Sequence, residues 1–222
     1  LDPDAAPDGL TLNADPVGKL RKVLGDSFDS DFGGHGGAPK FPHPGTIEWL
    51  LRAWRRTAND DEPDVHALFM ASLTLTRMAD GGIFDHVGGG FCRYSVDRYW
   101  QIPHFEKMLY DNAQLISLSS TAYQLPKDPY YEKIVKQTIA FSDRELSDES
   151  GLFYSSLDAD SEGEEGKFYV WSKHEIDSIL GEDSALFNDY YILPQGPVRF
   201  DGCFLNMILT VELILLYFSF VL

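Results

Sequence analysis

The stretch HFEKMLYDNAQLISLSSTAYQL, His104 to Leu125, constrains the fold more than any other. Set out at about 100° per residue, Phe105, Leu109, Ile116 and Tyr123 share a sector near 100–140°, and Met108, Leu115, Leu118, Ala122 and Leu125 a second between about 300° and 40°. A helix that is apolar on two sides cannot lie on a surface. It needs neighbours on both flanks, as an inner helix in a ring of helices has. Only the arc of Glu106, Tyr110, Gln114, Ser117, Thr121 and Gln124 is polar throughout.

Three ionisable residues, His104, Lys107 and Asp111, fall inside the second apolar sector, within its first two turns. Burying them costs several kcal/mol unless they are paired. The expectation is therefore either an i, i+4 ion pair between Lys107 and Asp111 or a polar cavity at this end of the helix.

The rest of the chain reads as more helices. Ile47, Leu50, Leu51, Trp54 and Ala58 form an amphipathic stripe, and a second helix is predicted from Pro63 in its first turn to Asp80-Gly81-Gly82. Asp128-Pro129 opens another, carrying Tyr131, Ile134, Val135, Thr138, Ile139 and Leu146. Leu152–Leu157 and Lys167–Trp171 read as paired strands around the acidic turn DADSEGEEG. Ser172 to Glu175 is a capping-box pattern for a helix that Gly181 closes, and Ser184 to Tyr191 supplies one or two further turns. The prediction is an all-α chain of five or six helices with a small β-hairpin.

Composition narrows the functions. Eighteen Lys plus Arg against 35 Asp plus Glu leave a net charge of −17 over 222 residues, which repels a phosphate backbone and argues against nucleic acid as a partner. Forty-four per cent apolar residues suffice for a core. The only two cysteines, Cys92 and Cys203, lie far apart with no Cys-x-x-Cys pair, which fits a reducing compartment such as the cytoplasm. The acidic N-terminus reads as neither a secretory signal nor a transit peptide, and the destination of the chain stays open. Residues 204–222, FLNMILTVELILLYFSFVL, hold a single charge, Glu212, and reach the length of a membrane span. They lack an aromatic and basic anchor, so a core element or an aberrant terminus is the favoured reading and membrane attachment the lesser one.

No motif asks for a cofactor or metal. Gly33 to Lys40 lacks the Gly-Lys-Ser/Thr ending of a phosphate loop. The segment from Asp158 begins like an EF-hand but has Tyr169 where a bidentate Glu is required, so a solvated acidic turn is the favoured reading and a loose cation or sugar-hydroxyl site the lesser one; His35, His43, His66 and His174 show no metal spacing.

Chemistry concentrates instead in GGIFDHVGGGFCRYSVDRYWQIP, residues 81–103, a glycine-rich loop or short hairpin followed directly by His104. It supplies Asp85, His86, Arg93, Tyr94, Asp97 and Trp100, a density of acid, base, cation and aromatic suited to a sugar or another small polar ligand. For epimerisation the candidate acid/base pair is His86 and His104, with Arg93 and Lys107 stabilising enolate charge. For glycoside hydrolysis the candidate carboxylates are Glu106, Asp111, Asp97 and Asp85.

Residues 81–115, together with GGHGGAPKFPHP upstream and EGKFYVWSKHEI downstream, resemble the spermatogenesis-associated protein 20 family over about residues 28 to 195. That family joins a thioredoxin-like domain to a helical region similar to the six-hairpin, (α/α)6 toroids of N-acylglucosamine 2-epimerases and many glycosidases. The resemblance implies a linker and short helix over 1–27, the first part of a toroid over 28–196, and a hydrophobic tail over 197–222 that departs from the family pattern. It places Lys40 and Phe41 near a central cavity. Tyr110 and Asn112 join the candidate ligand-binding set, and His86, His104, Glu106 and Asp111 are the catalytic candidates. It also implies a thioredoxin-like domain upstream of residue 1 as a partner. The alternative expectation is a non-catalytic scaffold or regulatory partner of that domain, or an inactive truncated product.

Overall fold

The computed structural model describes residues 15–125, 127–191, 199–200 and 203–204. The first fourteen residues and almost all of the hydrophobic tail, with its membrane, core and aberrant-terminus readings, lie outside the described residues.

Helix α1 spans Asp15–Ser27, α2 Pro44–Thr57 and α3 Val65–Asp80. Three short strands follow, β1 (Tyr94–Ser95), β2 (Pro103–His104) and β3 (Lys107–Met108), then α4 (Leu109–Tyr123) and α5 (Pro129–Phe141), which runs into a π turn at Ser142–Leu146. Next come β4 (Ser156–Leu157), β5 (Asp160–Ser161), β6 (Glu164–Glu165), α6 (Lys173–Leu180), a 3-10 turn at Gly181–Asp183, α7 (Ser184–Tyr191), β7 (Arg199–Phe200) and β8 (Cys203–Phe204). The strands form four two-stranded antiparallel ribbons, β1–β2, β3–β4, β5–β6 and β7–β8.

Local chemistry accounts for the helix starts. Pro44 occupies the first turn of α2, where its missing N–H costs nothing, and Arg55 and Arg56 sit in the last turn, where the helix dipole favours cations. Asp64 caps α3 by accepting from the Ala67 amide at 3.0 Å, and the same carboxylate holds Arg21 of α1 at 2.6 and 2.8 Å. Pro63 therefore precedes the cap instead of lying in the first turn. Asp128 caps α5, and Ser172 with Glu175 forms the expected capping box of α6, which Gly181 closes at φ 55°.

The helices pair in chain order, α2 on α3, α4 on α5 and α6 on α7, and α2 also packs against α4. Leu50, Leu51, Leu115, Leu118, Ala122 and Ile134 meet in the main core. Thr76 bonds Tyr131 at 3.1 Å and Tyr130 donates to Asp80, tying α3 to α5. With α2 on one flank and α5 on another, α4 has the two-sided packing that its apolar sectors require.

Two expectations are corrected. The helix expected from His104 begins at Leu109, because β2 is committed to pairing Tyr94 with His104 and β3 to pairing Lys107 with Leu157. Likewise, Leu152–Leu157 does not pair with Lys167–Trp171. Ser156–Leu157 joins β3, and the acidic turn closes on itself through Asp160–Glu165 and Ser161–Glu164. No helix among the described residues is long and apolar enough to cross a membrane.

Glycines seat the 81–92 loop on the helices. Gly89, at φ 79°, lies so close to α5 that a Cβ would stand 2.3 Å from the Gln137 carbonyl oxygen. Gly89→Ala should therefore cost about 3 kcal/mol in urea unfolding, combining a positive-φ penalty with overpacking against a backbone atom. Gly36→Ala, also at positive φ but facing open space, should lose only about 1 kcal/mol.

Candidate functional site

Two buried ammonium groups organise the loops ahead of α2 and α4. Lys40 is fully buried, and its Nζ donates to Asp29 at 2.8 Å and to the Arg98 carbonyl at 3.0 Å, 5.2 Å from the Trp100 ring centre. Arg98 grips the same Asp29 carboxylate with two bonds of 2.7 and 2.8 Å. Arg98 and Lys40 hold the Asp29 carboxyl well below the usual carboxylate range against the opposing effect of burial, whereas burial pulls Lys40 down. Trp100 is buried in a left-handed conformation at φ 65°, with its indole N–H on the Phe32 carbonyl at 2.7 Å.

The second ammonium, Lys107, donates to Asp85 and to the Gly89 carbonyl, both at 2.9 Å, and lies 4.5 and 5.0 Å from the Phe141 and Tyr169 ring centres. Burial opposes its charge, but Asp85 and the surrounding groups outweigh that and raise its pKa. Asp85 also accepts from the Val87 and Gly88 amides. Asn112 crosses from α4 to bond both the N–H and the C=O of Phe91, at 2.7 and 3.0 Å. Asp97 caps its own turn through the amides of Tyr99, Gln101 and Ile102.

These bonds decide one of the alternatives the sequence left open. Lys107 is paired with Asp85, not with Asp111, because it lies on β3 and points into the loop. Lys40, Asp85, Trp100, Lys107 and Asn112 are buried, and Asp97 accepts from the backbone of its own turn. Cys92 is likewise buried, its thiol pushed up to about 12 by burial.

A different set reaches solvent. Phe41 stacks on Tyr94 at 4.6 Å, and Tyr94 stacks on His104 at 4.7 Å with the rings 16° apart. His104 directs Nδ1 to Glu165 at 2.7 Å, with Nε2 3.7 Å from Glu106. Glu106 takes the Arg93 guanidinium at 2.6 Å, and the backbone repeats the tie, Arg93 N–H to Glu106 C=O at 2.8 Å. Glu106 and the neighbouring Tyr110 raise the Arg93 pKa. Asp111, in the first turn of α4, is only 6% exposed, and burial pushes its carboxyl up to about 6, opposed by Arg93 and assisted by Glu106. Phe41, Arg93, Tyr94, His104, Glu106, Tyr110 and Asp111 thus share one neighbourhood.

His86 is elsewhere. Its Nε2 meets the Gly81 carbonyl at 3.0 Å, its ring packs edge-on to Phe84, and burial lowers its pKa. Asp85, Lys133 and Asp80 are charged groups near it.

Sequence reasoning missed Asp29, Arg98 and Glu165. Glu165 falls in the acidic turn, and its signal was its place as the first residue of the EGKFYVW motif. A groove of about 420 Å³ runs between α2 and α4 from Pro44 and Gln114, past Arg55 and Ser117, to Gln124. It lies along the polar arc of α4, starting one turn beyond Tyr110.

No family model matches the chain. Over 184 residues it is 43% identical to spermatogenesis-associated protein 20 of Homo sapiens, covering 79% of this chain and 22% of that protein. The Mus musculus protein of the same name is 45% identical over 167 residues, covering 72% and 21%. The chain is a homologue of these proteins and spans about a fifth of their length. Among solved structures, a sugar epimerase from a ruminal bacterium superposes with TM-score 0.52 at 15% identity, covering 77% of this chain and 50% of that one. Cellobiose 2-epimerase from Bacillus thermoamylovorans gives 0.51 at 15%, covering 80% and 53%. The fold is therefore part of an (α/α)6 toroid, as expected from the sequence.

Two stability measurements check the site's electrostatics. Lys107→Met and Asp85→Leu should each cost about 3–5 kcal/mol by stranding a buried charge, while the double variant should recover the larger part, short of about 1–2 kcal/mol for the lost Val87 and Gly88 bonds. For Asp111 the folded pKa lies above the unfolded one, so stability is fully present below about pH 4 and declines as pH rises through about 6. Asp111→Asn should accordingly stabilise the protein by about 2 kcal/mol at pH 7.5 and by nothing measurable at pH 4.

Proposed function

We propose that this chain, a relative of spermatogenesis-associated protein 20 with part of an epimerase-like toroid, supplies the acid/base groups of a site that moves a proton on the carbon beside a sugar carbonyl. The observation that carries this reading is the placement of His104 between Glu106 and Glu165, with a carboxyl raised to about 6, Asp111, beside Glu106 and Arg93. His104 takes the proton through Nε2, and the electron pair left on carbon moves to the carbonyl oxygen. Arg93 faces the resulting enolate charge. Asp111, protonated for part of the time near neutrality, returns a proton to the opposite face, the role that sequence reasoning gave to His86. Phe41 and Tyr94 offer an aromatic surface for the apolar face of a sugar ring.

Hydrolysis of a glycoside is less well supported, since two of the four candidate carboxylates, Asp85 and Asp97, are consumed by the framework. A second reading, a non-catalytic helical scaffold beside a thioredoxin-like domain, draws on the burial of Lys40, Asp85 and Lys107.

The test is to incubate the full-length protein with a panel of aldoses and ketoses in deuterated water and follow exchange by proton NMR. Deuterium should enter carbon 2 of at least one sugar, and His104→Ala and Asp111→Asn should each slow that exchange by about 100-fold or more. Absence of exchange from every sugar would leave the scaffold reading, and exchange that persists in the His104→Ala/Asp111→Asn double variant would show that other groups move the proton.

A further inference from the structure

We infer that the groove between α2 and α4 holds the further rings of a linear oligosaccharide whose reducing end lies at Arg93 and His104. This rests on the acid/base reading above and names its substrate class, an oligosaccharide and not a free monosaccharide. Only the reducing end of such a chain offers a carbonyl, so the remaining rings must leave the reacting cluster along some path. The groove continues from that cluster on both walls. Lys40 pairs with Ser95 through the backbone, at 2.7 and 2.9 Å, and Tyr94 pairs with His104. The segments leading into α2 and α4 are thus held together, and both helices start at the same end. The α2 wall runs from Phe41, 37% exposed, through His43, the N-cap of α2, to Pro44 in the groove. The α4 wall runs from Tyr110, 48% exposed, to Gln114 in the groove, whose side-chain N–H donates to the Tyr110 carbonyl at 3.0 Å.

Size and lining suit that guest. The volume of about 420 Å³ lies within the roughly 300–1,000 Å³ of small-molecule sites. From Gln114 to Gln124 the groove follows α4 for about 15 Å, longer than one sugar ring. Buried Leu51 and Leu118 give it an apolar floor, and exposed Gln114, Ser117, Gln124 and Arg55 a polar rim. A sugar ring presents the matching pair, an apolar face edged by hydroxyls. The rim also has bonds to give. Among the described residues the Ser117 and Gln124 side chains and the Arg55 guanidinium have no hydrogen-bond or ion-pair partner, and Gln114 commits only its N–H. An apolar helix laid over this face would strand those groups, whereas sugar hydroxyls, which both donate and accept, satisfy them.

Ligand-observed NMR titration of the full-length protein provides the test. The probes are glucose, mannose and N-acetylglucosamine, each with its β-1,4-linked oligomers up to the tetrasaccharide. In at least one series Kd should fall about tenfold or more from the monosaccharide to the trisaccharide, the gain expected from one or two added hydrogen bonds. Ser117→Trp, which fills the groove from an exposed position, should abolish that gain and leave the monosaccharide Kd within about twofold. Ser117→Thr, which keeps the hydroxyl, should retain it. Should the tryptophan variant misfold by circular dichroism, Gln114→Ala with Gln124→Ala takes its place and should cut the gain about fivefold. Equal affinity at every length, binding of no sugar, or a gain that survives the groove variants overturns the inference. Binding is read without turnover, so the two proposals fail separately. Length-dependent binding with no deuterium exchange defeats the reaction and leaves the groove, whereas exchange without any gain with length defeats the groove and leaves the reaction.

Discussion

The structure depends on enclosing the Lys107 ammonium. A cation removed from water is tolerated only with an anion and further acceptors around it, and here Asp85, the Gly89 carbonyl and two aromatic rings provide them. Meeting that demand fixes much else. Asp85 must turn inward, so the loop closes into a tight bend over its carboxylate, and the backbone must approach α5 at Gly89 and Gly90, where no side chain fits. Lys107 must be presented from an extended segment, which is why β3 precedes α4 and the helix starts only at Leu109.

Lys40 does the same for the loop ahead of α2. Its backbone pairs with Ser95 in both directions, at 2.7 and 2.9 Å, and its ammonium reaches Asp29, which Arg98 also holds. Segments around residues 29, 40, 95 and 98 are thereby fastened to one another ahead of α2, as Lys107 fastens the 85–89 loop ahead of α4. Lys40, Asp85 and Lys107, three of the charged groups that the sequence offered as ligand contacts, take part in this fastening. What it leaves nearer the surface is a smaller set in fixed positions, with Arg93 and Glu106 bonded through both backbone and side chain and His104 clasped by stacking and a carboxylate, while Asp111 beside them is buried.

The helices were legible in the sequence because each carries its own instructions. The Ile47–Leu50–Leu51 stripe, the caps at Asp128 and Ser172 and the glycine at 181 act within a turn or two, and the two-sided apolar pattern of 104–125 demanded flanking neighbours wherever the chain went. The same pattern misled at its front end. Phe105 and Met108 fall on helical apolar sectors, but the pairing of residues 94–95 and 156–157 with this segment outcompetes the local preference. For the candidate site, the loop and the identities of Arg93, His104, Glu106 and Asp111 could be read, whereas their partners could not. Lys107 and Asp111 had the right spacing for a helical ion pair, and only knowing that residue 107 is extended sends the ammonium to Asp85.

The amino-acid order alone determined a helical chain with one inner helix, a glycine-rich loop dense in polar groups, and kinship with a toroid family, since periodicity, capping and motif order are all properties of neighbouring residues. Tertiary structure decided which charges were entombed and which stayed wet. That choice turns on contacts between segments far apart in the chain, where the cost of desolvating an ammonium or carboxylate exceeds any local preference and is met only by whatever partner the folded chain brings within about 3 Å.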